Sequence, residues 1–207
     1  MSAHLSLFAP GVWIWSFYSK RLGRFANGWY FEHANGGVVV DPADAPESVY
    51  RDLTRRGVAR IILTCAGHMR ASGKLRAYCK APVAVHALDA AQARAQGALV
   101  DQTLSPGDIV GPLEIVAAPG RSPGGVACLD ATNGRLVLGD LCVGLEPGRC
   151  GPPDALAPER FAAWHDAVSA LAARADFDAL LLGDGVPTSA GGRAALAALA
   201  AQAGSGA

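Results

Sequence analysis

Short apolar runs, separated by polar or glycine-rich breaks, dominate the first half of the chain. Val12 to Phe17 (VWIWSF) is rich in β-branched and aromatic residues and predicts a strand. Trp29 to Glu32 and Val38 to Asp41 are two further short runs. Asn35-Gly36-Gly37 between them is turn chemistry, so the pair predicts a hairpin. At Pro46 to Arg56 the period changes to that of a helix: Val49 and Leu53 lie four apart on one face, and Gly57 supplies the stop. Arg60 to Thr64 (RIILT) is a continuously apolar run of the kind that suits a strand buried on both faces. Met69 to Lys80 then predicts a helix, Pro82 to Ala87 a strand, and Ala90 to Gln96 a short helix.

The second half repeats the change of period once. Leu113 to Ala118 predicts a strand, and Val126 to Leu129 with Leu136 to Leu138 a hairpin around Asn133-Gly134. Pro158 to Arg174 is the clearest helix, because Phe161, Trp164, Val168 and Leu171 form one apolar stripe. Ala179 to Leu182 is a last buried strand. Ala190 to Ala203 is an alanine-rich terminal helix whose Gly-Ser-Gly tail is expected to fray. No repeat or long linker interrupts the order. Hairpins, strand–helix units, more strands and final helices predict an α/β chain with two sheets face to face and helices outside, a four-layer αββα sandwich.

A chain of 207 residues suits one domain spanning residues 1–207. Hydrophobic residues make up 51% and charged residues 17%, which excludes a disordered chain and implies a large buried fraction. With 18 basic and 18 acidic residues the formal charge is zero, so no electrostatic footprint points to nucleic acid or an anionic membrane. The expected partner is an unidentified small molecule or protein, with a homo-oligomer possible. No apolar run reaches the length of a membrane span, and Met1 to Pro10 lacks the pattern of a secretory signal, so the expected location is cytoplasmic. Five cysteines without such a signal argue against a disulfide framework, and the lack of a CxxC pair argues against a structural zinc module.

Short segments at predicted strand ends resemble, in order, the metallo-β-lactamase superfamily, and the resemblance runs from about Asn27 to about Leu196. Val38-Val39-Val40-Asp41-Pro42 is similar to the family's hairpin ending in an acid. Thr64-Cys65-Ala66-Gly67-His68-Met69-Arg70 stands where the family has T-H-x-H-x-D-H. Pro119-Gly120-Arg121-Ser122-Pro123-Gly124 stands for its P-G-H-[ST]-P-G. Val137-Leu138-Gly139-Asp140-Leu141 is similar to its strand ending in Gly-Asp, and Leu182-Gly183-Asp184-Gly185 to the one ending in Gly-His-Gly. Such motifs in this order are fairly specific for the fold but not for an activity.

Carried over by position, the family's metal ligands become Cys65, Gly67, Met69, Arg70, Arg121 and Asp184. Only the bridging aspartate survives, as Asp140. His68 falls at a position the family leaves variable and inherits no role. The superfamily includes divergent members with a similar pattern of loss. A catalytic zinc needs about three protein ligands and an open position. Arginine carries a fixed positive charge and cannot serve as one. The resemblance with these departures implies no expected metal, with zinc or iron as the alternative. It also implies that Arg70 and Arg121 pair with Asp140 and Asp184 in the former metal cavity, because unpaired buried charge is very costly.

Each residue also has an ordinary reading. Asp140 and Asp184 suit turns, Cys65 a small buried side chain, and His68 a surface or cap residue. Trp13, Trp15 and Trp29 suit core and strand surface, and His165 a solvated helix face. Cys142 and Cys150 flank a Pro/Gly-rich loop that is either a lid or a connector. Three functions follow. The first is a metal-free pseudoenzyme or binding module. The second is an atypical hydrolase of esters, thioesters or phosphoesters, with one metal held by some of Cys65, His68, Asp140 and Asp184. The third is metal-free chemistry at Cys65, which needs its thiol pKa lowered by neighbours such as Arg70. The catalytic candidates are Asp140 and Cys65, and Arg70, Arg121, Asp184 and His68 are expected to line the cleft.

Overall fold

A strand that is apolar on both faces must bury each face against a different layer, and the alternation along the strands shows which. The computed structural model describes residues 4–154 and 156–204. Its first sheet has seven strands in chain order: β1 (Ser6–Ala9), β2 (Val12–Ser19), β3 (Arg24–Phe31), β4 (Gly37–Val40), β5 (Val58–Leu63), β6 (Val83–His86) and β7 (Gln102–Leu104). The first four form an antiparallel meander, and β4 to β7 run parallel. Parallel neighbours need long crossovers, which α1 (Glu47–Arg56), α2 (Ser72–Cys79) and α3 (Ala87–Ala95) supply. Val38, Val40, Ile62 and Ala84 point to the space between the sheets, whereas Val39, Ile61, Leu63, Val83 and Val85 pack on Val49, Leu53 and Leu75 of the helices.

The second sheet holds β8 (Ile109–Val110), β9 (Leu113–Ala117), β10 (Val126–Asp130), β11 (Arg135–Leu138) and β14 (Ala179–Leu182), in the order β14-β11-β10-β9-β8. Cys128, Val137 and Leu181 face the first sheet. Leu136, Leu138, Leu180 and Leu182 face α4 (Phe161–Ala172) and α5 (Gly192–Gly204), where Trp164, Val168, Leu171, Leu196 and Leu199 meet them. The layers are therefore helix, sheet, sheet, helix. Among the described residues no helix is long and apolar enough to cross a membrane.

Several boundaries depart from the sequence reading. β2 and β3 pair over their full length, from Val12 with Phe31 to Ser19 with Arg24. Asn27 and Gly28 had hidden the first half of β3. Gly28 is needed there, because a Cβ would lie 2.2 Å from the Trp15 ring. The helix expected from Met69 starts at Ser72, because Ala66–His68 forms a 3-10 turn and Arg70 has φ 29°, outside any α-helix. α3 starts at Ala87, three residues early, with His86 accepting from the Leu88 N–H as its cap. α4 is preceded by a 3-10 turn over Pro158–Arg160 and is shorter than expected. The segment between Cys142 and Cys150 is a small hairpin, β12 (Val143–Glu146) with β13 (Arg149–Gly151), and both thiols are buried. His165 is only partly solvated: its Nε2 lies 3.2 Å from the Ala200 carbonyl oxygen and its ring stacks on Phe161. Of the Gly-Ser-Gly tail only Gly204 lies within the described residues, as does Met1 to Pro10 only from His4 onward.

Candidate functional site

The C-terminal ends of β4, β5, β11 and β14 meet at one edge of the sandwich, and each delivers a polar residue. Asp41 follows β4 with φ 48°, a left-handed conformation that a non-glycine residue holds only when its surroundings demand it. Its carboxylate is fully buried (0% exposed) and accepts from the Thr64 N–H (2.8 Å), the Thr64 hydroxyl (2.6 Å) and His68 Nδ1 (2.7 Å). The 3-10 turn after β5 folds His68 back over this pair. The opposite ring nitrogen, Nε2, lies 2.8 Å from Asp140 Oδ1 and 3.7 Å from Asp184 Oδ2. His68 is 2% exposed. The ring fits because two residues beside it lack side chains. A Cβ on Gly139 would sit 2.9 Å from His68 Nδ1 and 1.9 Å from Thr64 Oγ1, and one on Gly183 would sit 2.7 Å from His68 Cε1.

Both arginines reach the same place. Arg70 Nη2 donates to Asp184 Oδ1 (2.7 Å), and Nη1 donates to the carbonyls of Asn27 (3.2 Å) and Gly183 (3.1 Å). Arg121 Nη1 donates to Asp140 Oδ2 (3.1 Å), which also accepts from the Cys65 thiol (3.4 Å). Asp89 of α3, fully buried, underpins the edge. It accepts from the Ala66 N–H (2.9 Å), the Ser122 hydroxyl (2.5 Å) and the Gly124 N–H (2.7 Å), and so ties the turn bearing His68 to the loop bearing Arg121.

The electrostatics follow from these contacts. Each ring nitrogen of His68 faces a carboxylate oxygen, and only an imidazolium donates to both at once. Burial and the Arg70 guanidinium, 3.0 Å from Nε2, oppose that charge. Asp140 and Asp41 outweigh them and raise the His68 pKa well above the usual imidazole value. Burial would raise the Asp140 carboxyl, but His68 and Arg121 hold it well below the usual range. Asp184 is likewise lowered against its burial by His68 and Arg70. Burial pushes the Cys65 thiol up to about 12, so it is protonated at neutral pH. His68, Arg70 and Arg121 thus face Asp41, Asp140 and Asp184, three cations to three carboxylates.

All six residues singled out in the sequence, Cys65, His68, Arg70, Arg121, Asp140 and Asp184, converge here. His68, which carried no inherited role, is the centre of the cluster and not a surface or cap residue. Asp41, Asp89 and Arg21 were not singled out. Asp41 left a signal, an acid closing the run Val38-Val39-Val40. Asp89 and Arg21 left none, because nothing local separates them from ordinary polar positions. Above the cluster opens a cavity of about 290 Å³ lined by Arg21, Leu22, Gly67, His68, Arg70, Arg121, Asp140, Val143, Asp154 and Asp184. One donor atom each from Cys65, His68 and Asp140 lie within 4.8 Å of one another, close enough to surround a metal ion.

The family model described as metallo-beta-lactamase superfamily matches residues 4–203. The chain belongs to the metallo-beta-lactamase superfamily. The fold agrees with that of several solved structures. The metallo-beta-lactamase FIM-1 from Pseudomonas aeruginosa, in its mono-zinc form, superposes with a TM-score of 0.79 at 20% identity, over 98% of this chain and 96% of that one. A metallo-beta-lactamase from Hirschia baltica gives 0.75 at 18% identity, over 97% and 98%. TTHA1623 in a di-iron-bound form gives 0.64 at 27% identity, over 82% and 92%. No curated protein matches the chain in sequence. The superfamily fold thus stands. At the strand ends where the motifs fall, the chain has Cys65, Gly67, Arg70, Arg121 and Asp184.

Proposed function

We propose that this member of the superfamily is a metal-independent binding module, a pseudoenzyme in which the imidazolium of His68 and two guanidiniums take the place of metal charge. The observation that carries the reading is the placement of His68 between Asp41 and Asp140, with its two ring nitrogens 2.7 and 2.8 Å from carboxylate oxygens, an arrangement that suits the doubly protonated ring. A nitrogen that carries a proton has no lone pair for a metal. The surroundings of the other donors also weigh against a dication. Burial pushes the Cys65 thiol up to about 12, so an ion would have to displace its proton, because metals bind the thiolate. Arg70 and Arg121 add fixed positive charge at the same point. The same thiol pKa weighs against Cys65 as a nucleophile.

A second reading rests on the grouping of Cys65, His68 and Asp140 within 4.8 Å: an atypical hydrolase with one metal, acting on an ester, thioester or phosphoester. It requires those residues to lose two protons, and both guanidiniums to swing away, when the ion enters. The deciding measurement is elemental analysis of protein purified without chelator and then offered zinc, iron and manganese. The proposal expects no stoichiometric metal under any of these conditions. Stoichiometric metal that disappears in Asp140→Ala would overturn it and direct the search to hydrolysis.

A further inference from the structure

The hydrogen-bonding capacity of the cleft is lopsided. Asp140 uses both oxygens: Oδ1 accepts from His68, and Oδ2 from Cys65 and Arg121. Asp184 accepts from Arg70, and Asp154 is paired with Arg24. Every carboxylate lining the cavity therefore has its cation. Both terminal nitrogens of Arg70 are engaged, on two carbonyls and Asp184. The guanidinium of Arg121, in contrast, spends only Nη1, and its side chain is 44% exposed. Arg21 lines the same cavity and has no hydrogen-bonding or ionic partner among the described residues. Arg24, Arg70 and Arg121 are each paired with an aspartate (Asp154, Asp184 and Asp140), which leaves Arg21 as the lining arginine without one among the described residues.

We infer that the cleft takes a small organic oxyanion, a single carboxylate or phosphate head held between Arg21 and Arg121. The inference rests on the metal-free reading above. The cationic groups with unspent N–H donors are Arg21 and Arg121, so the complementary ligand is an anionic acceptor, and the planar forks of two arginines match the two oxygens of such a head. The size is limited: about 290 Å³ lies at the small end of ligand pockets. Leu22 and Val143 are the apolar side chains of the lining, so the body of the ligand is small, with one apolar face.

Arg21 is presented by an ordered turn. Between β2 and β3 the Leu22 and Gly23 N–H groups donate to the Ser19 carbonyl (3.2 and 2.9 Å), and the ion pair of Arg24 with Asp154 ties the turn to the segment after β13. A backbone already held in place spends less ordering entropy on binding.

The test is calorimetric titration of the full chain with benzoate and with phenyl phosphate, in the presence of EDTA and again with zinc. The inference expects one probe to bind saturably in EDTA, and the stronger probe tells a carboxylate site from a phosphate site. Arg21→Gln and Arg121→Gln should each weaken binding about tenfold, while Arg55→Gln on the exposed face of α1 should not. The unfolding midpoint of Arg21→Gln should match the parent, because that side chain contributes no folded-state pairing. No binding of either probe, with no metal taken up, would sink the oxyanion inference and leave the metal-free reading standing. Binding that needs zinc and ignores Arg21→Gln would sink both.

Discussion

Replacing His68 by leucine tests the ion cluster directly. The side chain keeps a comparable volume but loses both N–H donors and the charge. Asp41 then lies fully buried with only Thr64 as partner, and Asp140 and Asp184 share two guanidiniums. Breaking a buried ion pair by removing one partner costs about 3–5 kcal/mol, because the other charge stays behind uncompensated. At 2% exposure solvent screening gives little relief. For a chain of this size each kcal/mol moves Tm by about 2–4 °C, so His68→Leu should melt about 6–20 °C below the parent at pH 7. Thermal and urea unfolding in chelator measure it. The pH dependence carries the sign. The folded pKa of His68 is raised, so its contribution is fully present below the unfolded imidazole value and is lost as pH rises through the folded pKa. Asp140 and Asp184 are lowered, so theirs is present above the unfolded carboxyl value and is lost as pH falls through the folded pKa. The gap between parent and variant should therefore narrow on the alkaline side. It should narrow on the acid side too, where the orphaned carboxylates of the variant take up protons. A variant within about 1 kcal/mol of the parent at pH 7, or a gap independent of pH, would refute a charged His68 at the centre of the cluster.

Other side chains make sharper local tests. Gly139→Ala places a methyl 1.9 Å from Thr64 Oγ1 and should cost about 1–3 kcal/mol in urea unfolding, whereas Gly73→Ala, with nothing within 4 Å, should be neutral or stabilising by about 0.5–1 kcal/mol. Asp89→Ala strands three buried donors and should cost about 3 kcal/mol or more, with Asp89→Asn milder; equal midpoints for the two variants would show that the carboxylate does not pin the two loops. Cys65, held at about 12 and buried, should resist iodoacetamide at pH 8 while half-buried Cys79 reacts faster, as read by peptide mass mapping; rapid labelling of Cys65 in the folded chain would reopen thiol chemistry.

Most of the layer order was legible along the chain. Apolar runs such as Val38 to Val40, Arg60 to Thr64 and Ala179 to Leu182 have no polar face, so each needs a layer on both sides, and the stripe on α4 needs a sheet beneath it. The parts that escaped are short edge strands, β1, β7, β8, β12 and β13, whose two to four residues carry too little pattern to rise above a loop. The helix expected from Met69 failed for a different reason. The backbone at Arg70 is bent into a left-handed conformation while its side chain reaches Asp184, 114 positions away, and no local propensity encodes that.

The candidate site divides in the same way. Sequence by itself determined which charged residues stand at the strand ends, and that arginines accompany acids where the superfamily places metal ligands. Only the tertiary structure decided the pairing: Arg70 with Asp184, Arg121 with Asp140, and His68 between Asp41 and Asp140, which lie 27 and 72 positions from it. Apolar periodicity is a local property, set by which face of an element is buried, and so it can be read residue by residue. The charge state of His68 is not local. It depends on two carboxylates brought within 3 Å by separate strands, and on the absent side chains of Gly139 and Gly183 that leave room for the ring, and these distances exist only once the two sheets have closed.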